Sequence, residues 1–247
     1  MRIRYLALEV LRQLKNTRNL VFTFALPVVM LLIFGSVYGS GGQIDDSTHL
    51  PWLAVTTIQM GGYGAMMSAL AQAFTIVNER SLGWNRQLRI TPLSGAGYLT
   101  TKVAASLAVA AMSIVLTFGV SLVVFHTPLP VGGWVLAGIG LWLGVVPFAL
   151  IAILIGQFAK PEFAQPLFMV TFFGLAIFGG LWVPLSIMPD WVTNVAQIVP
   201  SYWLNRLGQM GALGSGDALA PAIVLIVWTA ALGALIVWRY RRDAARA

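Results

Sequence analysis

The chain has 247 residues, of which 58% are hydrophobic and only 9% are charged. Soluble domains are about 45–50% apolar and about 25% charged, so the composition excludes an ordinary soluble protein and predicts an integral membrane protein. The net charge is +7, but the basic residues lie at the edges of apolar runs, as membrane topology requires, and do not indicate nucleic-acid binding. The absence of cysteine excludes disulfides, cysteine metal sites and thiol nucleophiles.

Residues 1–19 are predicted to form an amphipathic helix that lies on the membrane surface. Apolar side chains recur at steps of three and four and share one face: Ile3, Leu6, Val10 and Leu14. Charged side chains occupy the opposite face: Arg2, Glu9, Arg12 and Lys15. The alternative is a basic tail that only fixes the topology.

Six apolar windows are long enough to cross a bilayer, which takes about 20 residues. They cover residues 20–38, 52–77, 103–125, 134–156, 167–183 and 221–238. No window contains Asp, Glu, Lys, Arg or His, and the fifth is short and ends before Pro184. With an even number of spans, fourteen of the 15 basic residues fall on the side of the termini, and only Arg206 falls on the other. The positive-inside rule therefore predicts cytoplasmic termini in a bacterial inner membrane.

Several activities are excluded by single residues. A nucleotide-binding P-loop requires Gly-Lys-Ser/Thr, but the three lysines follow Leu14, Thr101 and Ala159. Ion-coupled carriers hold ionisable residues at membrane depth, and the six windows have none. The two histidines, His49 and His126, fall in outer loops, which argues against a catalytic site. The chain is therefore predicted not to be an enzyme, to bind no cofactor or metal, and to take energy for active transport from another polypeptide.

The segment 78–102 joins the second and third spans on the cytoplasmic side. Its apolar residues alternate with polar ones, and Thr91-Pro92 indicates a helix start because proline is tolerated at the first helical position. The alternative is a basic loop that only sets the topology.

This segment resembles the cytoplasmic loop of ABC type-2 exporter permeases. The similarity is carried by Glu79-Arg80, Gly83, Leu88, Thr91-Pro92-Leu93 and Lys102, with Trp84 where the family commonly has threonine. A second similarity covers the family's outer segment: Pro184, Met188-Pro189-Asp190-Trp191, Val199-Pro200 and Tyr202. The order of the segments resembles the drug-resistance branch of the family most closely.

The resemblance implies an all-α fold and a single transmembrane permease domain over residues 1–247. Its parts are six transmembrane helices, an N-terminal interfacial helix and a re-entrant outer segment before the last span. Two permease chains would pair, each with a cytoplasmic ABC ATPase subunit that binds ATP and Mg²⁺. The ATPase would bind a coupling segment. Its candidate residues are Glu79, Arg80, Gly83, Trp84, Arg89, Thr91 and Pro92. The expected cargo is a hydrophobic or amphiphilic, drug-like molecule.

Two alternatives remain open at this stage: a lipid or polysaccharide exporter of the same superfamily, and a non-transporting membrane assembly or immunity protein.

Residues 184–219 are rich in proline and aromatic residues and are predicted to re-enter the membrane from outside and cap the exit route. The candidate gate residues are Pro184, Pro189, Trp191, Pro200, Tyr202 and Trp203. The alternative is an aromatic belt at the membrane–water interface.

A mildly polar stripe on the second span suggests a substrate path. Its residues are Gln59, Tyr63 and Met66, and Phe172 of the fifth span is a further candidate. Ordinary helix packing, aided by the glycines near Tyr63, is the alternative.

Overall fold

The computed structural model describes residues 2–38, 44, 50–83, 95–182, 185, 188–214 and 218–244. These residues are almost entirely helical, and their only β feature is an isolated bridge between Ile44 and Pro51. The N-terminal helices are α1 (Arg2–Lys15), α2 (Thr17–Leu20), a π turn (Val21–Ala25) and α3 (Leu26–Tyr38). The middle helices are α4 (Trp52–Leu70), α5 (Gln72–Ser81), α6 (Gly95–Phe125), α7 (Val131–Gly144) and α8 (Val146–Phe158). The C-terminal helices are α9 (Pro161–Phe178), α10 (Asp190–Ala196), α11 (Pro200–Leu213) and α12 (Leu219–Ala244).

Within the described residues, four helical segments are long and apolar enough to cross a membrane: Gly95–Phe125, Val131–Phe158, Pro161–Phe178 and Leu219–Arg239. They correspond to the third to sixth predicted spans. The first predicted span corresponds to a shorter apolar helix, Val21–Val37, and the second to α4. The all-α class agrees with the prediction, whereas the count of six spans remains a prediction.

Helix α4 is the centre of the bundle, since every residue from Leu53 to Leu70 is buried. A helix enclosed by protein on all sides need not be uniformly apolar, which explains how α4 accommodates Gln59 and several glycines. A Cβ on Gly64 would lie 3.0 Å from the Thr23 carbonyl oxygen, so glycine lets the π turn approach α4 closely. The Ser113 hydroxyl of α6 donates to that same carbonyl oxygen at 2.8 Å.

Helix α11 runs antiparallel to α7 at short range. Gly133 of α7 lies beside Ala212, and Gly144 lies beside Leu204, so the start of α11 meets the end of α7. The Ser201 hydroxyl also donates to the Leu175 carbonyl oxygen of α9 at 2.6 Å. Small residues at helix contacts allow such close backbone packing. Re-entry of this segment from outside remains a prediction, and residues 183–184, 186–187 and 215–217 lie outside the described residues.

Helix α1 was predicted to lie on the membrane with its charged side chains opposite the apolar face, but one of those charged residues packs into the protein. Glu9 and Gln13 are buried, whereas Leu8 and Leu11 are exposed. The expectation that Glu9 faces away with the other charged residues is therefore wrong. The physical reason is a buried cation on α6 that needs a counter-charge.

Candidate functional site

A cluster of ionic side chains joins three helices at the end of the bundle that the sequence predicts to be cytoplasmic. Lys102 of α6 is fully buried (0% exposed), and its Nζ lies 2.6 Å from Glu9 Oε1 and 2.8 Å from Glu79 Oε1. Arg12 of α1 forms a further ion pair with Glu79. The Tyr98 hydroxyl of α6 donates to Glu79 Oε2. We refer to Glu9, Arg12, Glu79, Tyr98 and Lys102 as the ion cluster.

The ion cluster is balanced in charge, with two cations and two carboxylates. Removing an ion from water costs several kcal/mol, which only a close partner of opposite charge and further hydrogen bonds can offset. Glu9 comes from α1, Glu79 from α5 and Lys102 from α6. Removing α6 would leave the buried Glu9 carboxylate without its cation, and removing α1 or α5 would take away one of the two carboxylates that neutralise Lys102. We therefore infer that the three helices resist separation at this end.

Arg80 attaches the same end of α5 to a fourth helix. Its guanidinium donates to the carbonyl oxygens of Gln157 and Ala159. These carbonyls lie at the C-terminus of α8, where a helix leaves its last carbonyls without intrahelical partners and a cation is favourable. Arg80 therefore caps α8 from the side.

Glu79 and Arg80 thus both turn inward. The sequence predicted polar contacts between these side chains and an ATPase, but the structure uses both charged groups in contacts within the chain. Both side chains hold the end of α5, the helix that precedes the predicted coupling segment.

The predicted coupling segment begins beside a turn at the end of α5. Gly83 has φ of +71°, a backbone conformation that favours glycine, and the Leu82 side chain beside it is 79% exposed.

The predicted loop 78–102 is shorter than expected, since α5 continues to Ser81 and α6 begins at Gly95. The predicted spans were drawn to exclude charged residues. In the structure, the helices extend beyond those spans and include charged residues such as Glu79 and Lys102, which pair with each other. Trp84, Arg89, Thr91 and Pro92 lie outside the described residues and stay predictions.

Residues 52–238 match the family model described as "ABC-2 family transporter protein". This chain belongs to the ABC-2 transporter family. The resemblance noted in the sequence is thereby confirmed, and the chain is a transport permease and not a catalytic subunit. The four long apolar helices agree with a multi-pass membrane protein. The permease is also similar to "Putative transport permease YvfS" of Bacillus subtilis (strain 168), with 28% identity over 221 residues that cover 89% of each chain. No solved structure matches it.

The predicted outer gate of the ABC-2 permease is divided between two helices. Pro189 and the exposed Trp191 lie at the start of α10, and Pro200 begins α11. Tyr202 and Trp203 meet edge-on with ring centroids 5.0 Å apart. The Trp203 indole donates to the Gln197 carbonyl oxygen at 2.7 Å, which ties α11 to the turn before it. Pro184 lies outside the described residues, and the gating role stays a prediction.

The predicted substrate-path residues of the permease lie in its interior. Tyr63 and Phe172 contact each other edge-on with ring centroids 5.5 Å apart, and Trp182 packs against both. Met66 is also buried, and the Gln59 amide donates to the Gly180 carbonyl oxygen at 3.0 Å. This arrangement is what helix packing requires. Contact of these residues with a substrate stays a prediction.

Sequence reasoning did not identify Glu9 and Tyr98 as site residues. A usable signal was present, because Lys102 is a lysine in a helix that continues into an apolar span. A cation at such a position requires a carboxylate partner, and Glu9 and Glu79 are the two carboxylates that precede Lys102 on segments predicted to be cytoplasmic. That argument would have pointed to both residues.

Proposed function

We propose that this permease is the membrane subunit of an ATP-driven exporter that moves an amphiphilic, drug-like molecule outward across the bacterial cell membrane. Membership of the ABC-2 family supports a transport role. The absence of a P-loop lysine in the chain supports ATP hydrolysis on separate subunits. We further propose a homodimer of permeases served by two cytoplasmic ATPases.

The observation that carries the coupling proposal is the attachment of both ends of the coupling segment to the bundle. Segment 82–94 leaves α5 just after Glu79 and Arg80 and enters α6 shortly before Tyr98 and Lys102. An ATPase that displaces this segment therefore pulls on α1, α5, α6 and α8 together. ATP binding drives transport only if it favours one arrangement of these helices over another.

The docking surface is proposed to be apolar, with Leu82 and Trp84 as its anchors. Leu82 is 79% exposed next to the turn at Gly83, and exposed apolar residues at such positions become interface anchors when a partner covers them. Glu79 and Arg80 hold this surface in place from inside. This division of roles replaces the direct ATPase contact that the sequence suggested for the two charged residues.

The coupling proposal is tested with Leu82→Asp in the permease co-expressed with the ATPase that copurifies with it. We expect about tenfold weaker ATPase association, because interface anchors contribute more than 1 kcal/mol each. The matched control is Leu219→Asp, since Leu219 is equally exposed but begins α12 at the other end of the molecule. Unchanged association and unchanged substrate-stimulated hydrolysis in both Leu82→Asp and Trp84→Ala would exclude the docking role.

The orientation is tested by single cysteines, for which the cysteine-free chain is a clean background. Ser81→Cys should react with a membrane-impermeant maleimide only in inverted vesicles, and Asn194→Cys only in intact cells. Both positions are exposed. Labelling of Ser81→Cys from outside the cell would overturn the cytoplasmic coupling segment. ATP-dependent uptake of an amphiphilic dye into the same inverted vesicles then tests outward transport.

A further inference from the structure

A cavity of about 270 Å³ lies where the end of α1, the π turn, the α4–α5 junction and α9 meet. Its apolar wall includes Phe22, Phe74, Phe168 and Met169. Its polar wall includes Gln13, Asn16, Thr75 and Asn78. Sites for amphiphilic molecules have this composition, an apolar body with a few polar groups that fix orientation.

Gln13 is the feature that marks this cavity as a binding site. The side chain is 6% exposed, and neither its amide nitrogen nor its carbonyl oxygen has a hydrogen-bond partner within the described residues. A buried polar group without a partner is unfavourable, because it has lost its hydrogen bonds to water. A ligand that supplies both a donor and an acceptor at this point recovers that cost on binding.

Along α4 and α5, the residues that line the cavity change from apolar (Met67, Ala71, Phe74) to polar (Thr75, Asn78). Met67 lines it at one end and Asn78 at the other, a separation of about 16 Å at 1.5 Å per helical residue. Half of a bilayer's hydrocarbon core is about 15 Å thick. The length therefore corresponds to one leaflet. Its assignment to the inner leaflet rests on the proposed cytoplasmic orientation of α5.

The charges around the polar end favour an uncharged ligand head. Arg12 is the one charged residue lining the cavity within the described part of the chain, and it is already paired with Glu79. The ion cluster as a whole has no net charge. Gln13, Asn16 and Asn78 offer both donors and acceptors, which suits hydroxyl, ester or amide groups.

We propose that this cavity binds a neutral-headed amphiphile from the inner leaflet. The uncharged hydrogen-bonding head pairs with Gln13 near Asn78, and the hydrocarbon part lies against the rings of Phe74 and Phe168. These two rings contact each other with centroids 4.6 Å apart and form a continuous apolar surface for the tail. Binding at this site requires no ATPase.

The test uses the full chain in nanodiscs, without an ATPase, and a monoacylglycerol that carries a diazirine in its acyl chain. After illumination, mass spectrometry should locate the adducts on Met67, Phe74, Phe168 or Met169. A fatty acid with the same diazirine-bearing chain provides the charged comparison. We expect it to label these residues at least fivefold less, because its carboxylate finds no unpaired cation at the polar end.

Two variants separate the cavity from general lipid contact. Gln13→Leu should reduce labelling by the neutral probe about tenfold, since the ligand head loses its partner. Gln72→Leu is the matched control. Gln72 is equally buried and without a hydrogen-bond partner within the described residues, but it does not line the cavity, so its variant should label like the parent chain. If Gln13→Leu does not fold, Ala71→Leu fills the cavity from the α4–α5 junction and should also abolish labelling.

Three outcomes would overturn the proposal. Adducts spread over the lipid-facing residues would exclude the cavity as the site. Equal labelling by the fatty acid would exclude the neutral head. Unchanged labelling in both Gln13→Leu and Ala71→Leu would exclude both the cavity as the binding site and the pairing of the ligand head with Gln13. Since no ATPase is present, failure of the export proposal alters none of these results.

Discussion

The two ends of the helical bundle are held together by different chemistry. At the end predicted to carry the coupling segment, buried ions join α1, α5 and α6 through Glu9, Glu79 and Lys102. At the opposite end, the described residues make contacts between hydroxyl groups and between small side chains, without ion pairs. The Thr57 and Ser121 hydroxyls lie 2.6 Å apart between α4 and α6, and α11 meets α7 through glycines such as Gly133.

This difference suggests that the two ends have different roles in a conformational change. Removing one partner of a buried ion pair costs about 3–5 kcal/mol, so we expect the helices of the ionic end to resist separation. Hydrogen bonds between membrane helices average only about 0.6 kcal/mol each, and several can exchange at small cost. The ionic end is therefore suited to transmitting a displacement, and the neutral end to opening and closing.

The largest expected effect comes from removing the central cation of the ionic end. Lys102→Met leaves the Glu9 and Glu79 carboxylates buried without that partner, and we expect a loss of about 3–5 kcal/mol in unfolding free energy. The measurement is the unfolding free energy in mixed micelles, together with the fraction of folded protein after heating. Lys160→Met is the matched control, because Lys160 is exposed and the change should have little effect.

A neutral version of the ion cluster sharpens the same comparison. The triple variant Lys102→Met, Glu9→Gln, Glu79→Gln has no buried charge left unpaired and should recover much of the stability lost in Lys102→Met. It should nevertheless couple ATP hydrolysis to transport poorly, because the helices are no longer joined by ion pairs. A single Lys102→Met variant as stable as the parent would contradict the role given to these charges.

The next effect is expected at the neutral end. A Cβ on Gly211 would lie 2.8 Å from the Leu136 carbonyl oxygen, and a backbone atom cannot rotate away. Gly211→Ala should therefore push α11 from α7 and cost about 1–3 kcal/mol of unfolding free energy. Gly119→Ala in α6 is the control, since nothing lies within 4 Å of the new methyl group, and it should be neutral or stabilising by about 0.5–1 kcal/mol. Equal stability of the two variants would show that α7 and α11 do not depend on close contact.

The long lipid-facing helices were predictable because their sequence is continuously apolar. α6 and α12 fall near the predicted spans for this reason, and the family resemblance stated from the sequence motifs is confirmed by the family model. The partners of the charged residues were not predictable in the same way. Periodicity shows that α1 has a polar side, but it does not show whether water or another helix covers that side. Glu9 was therefore assigned to the wrong environment, and Glu79 and Arg80 were expected to face a partner protein.

The smallest effect is expected from the second cation that contacts Glu79, and it isolates burial as the deciding variable. Arg12 pairs with the same carboxylate as Lys102 does, but its side chain is 54% exposed. Exposed ion pairs contribute about 0–1 kcal/mol, because water solvates the separated charges almost as well. Arg12→Gln should therefore lower the unfolding free energy by less than about 1 kcal/mol, and 0.5 M salt should erase the difference from the parent chain. A loss as large as that of Lys102→Met would mean that the number of ion pairs, and not their burial, determines the stability of this end. The contrast between the two ends of the bundle would then need an explanation other than the cost of desolvating buried charges.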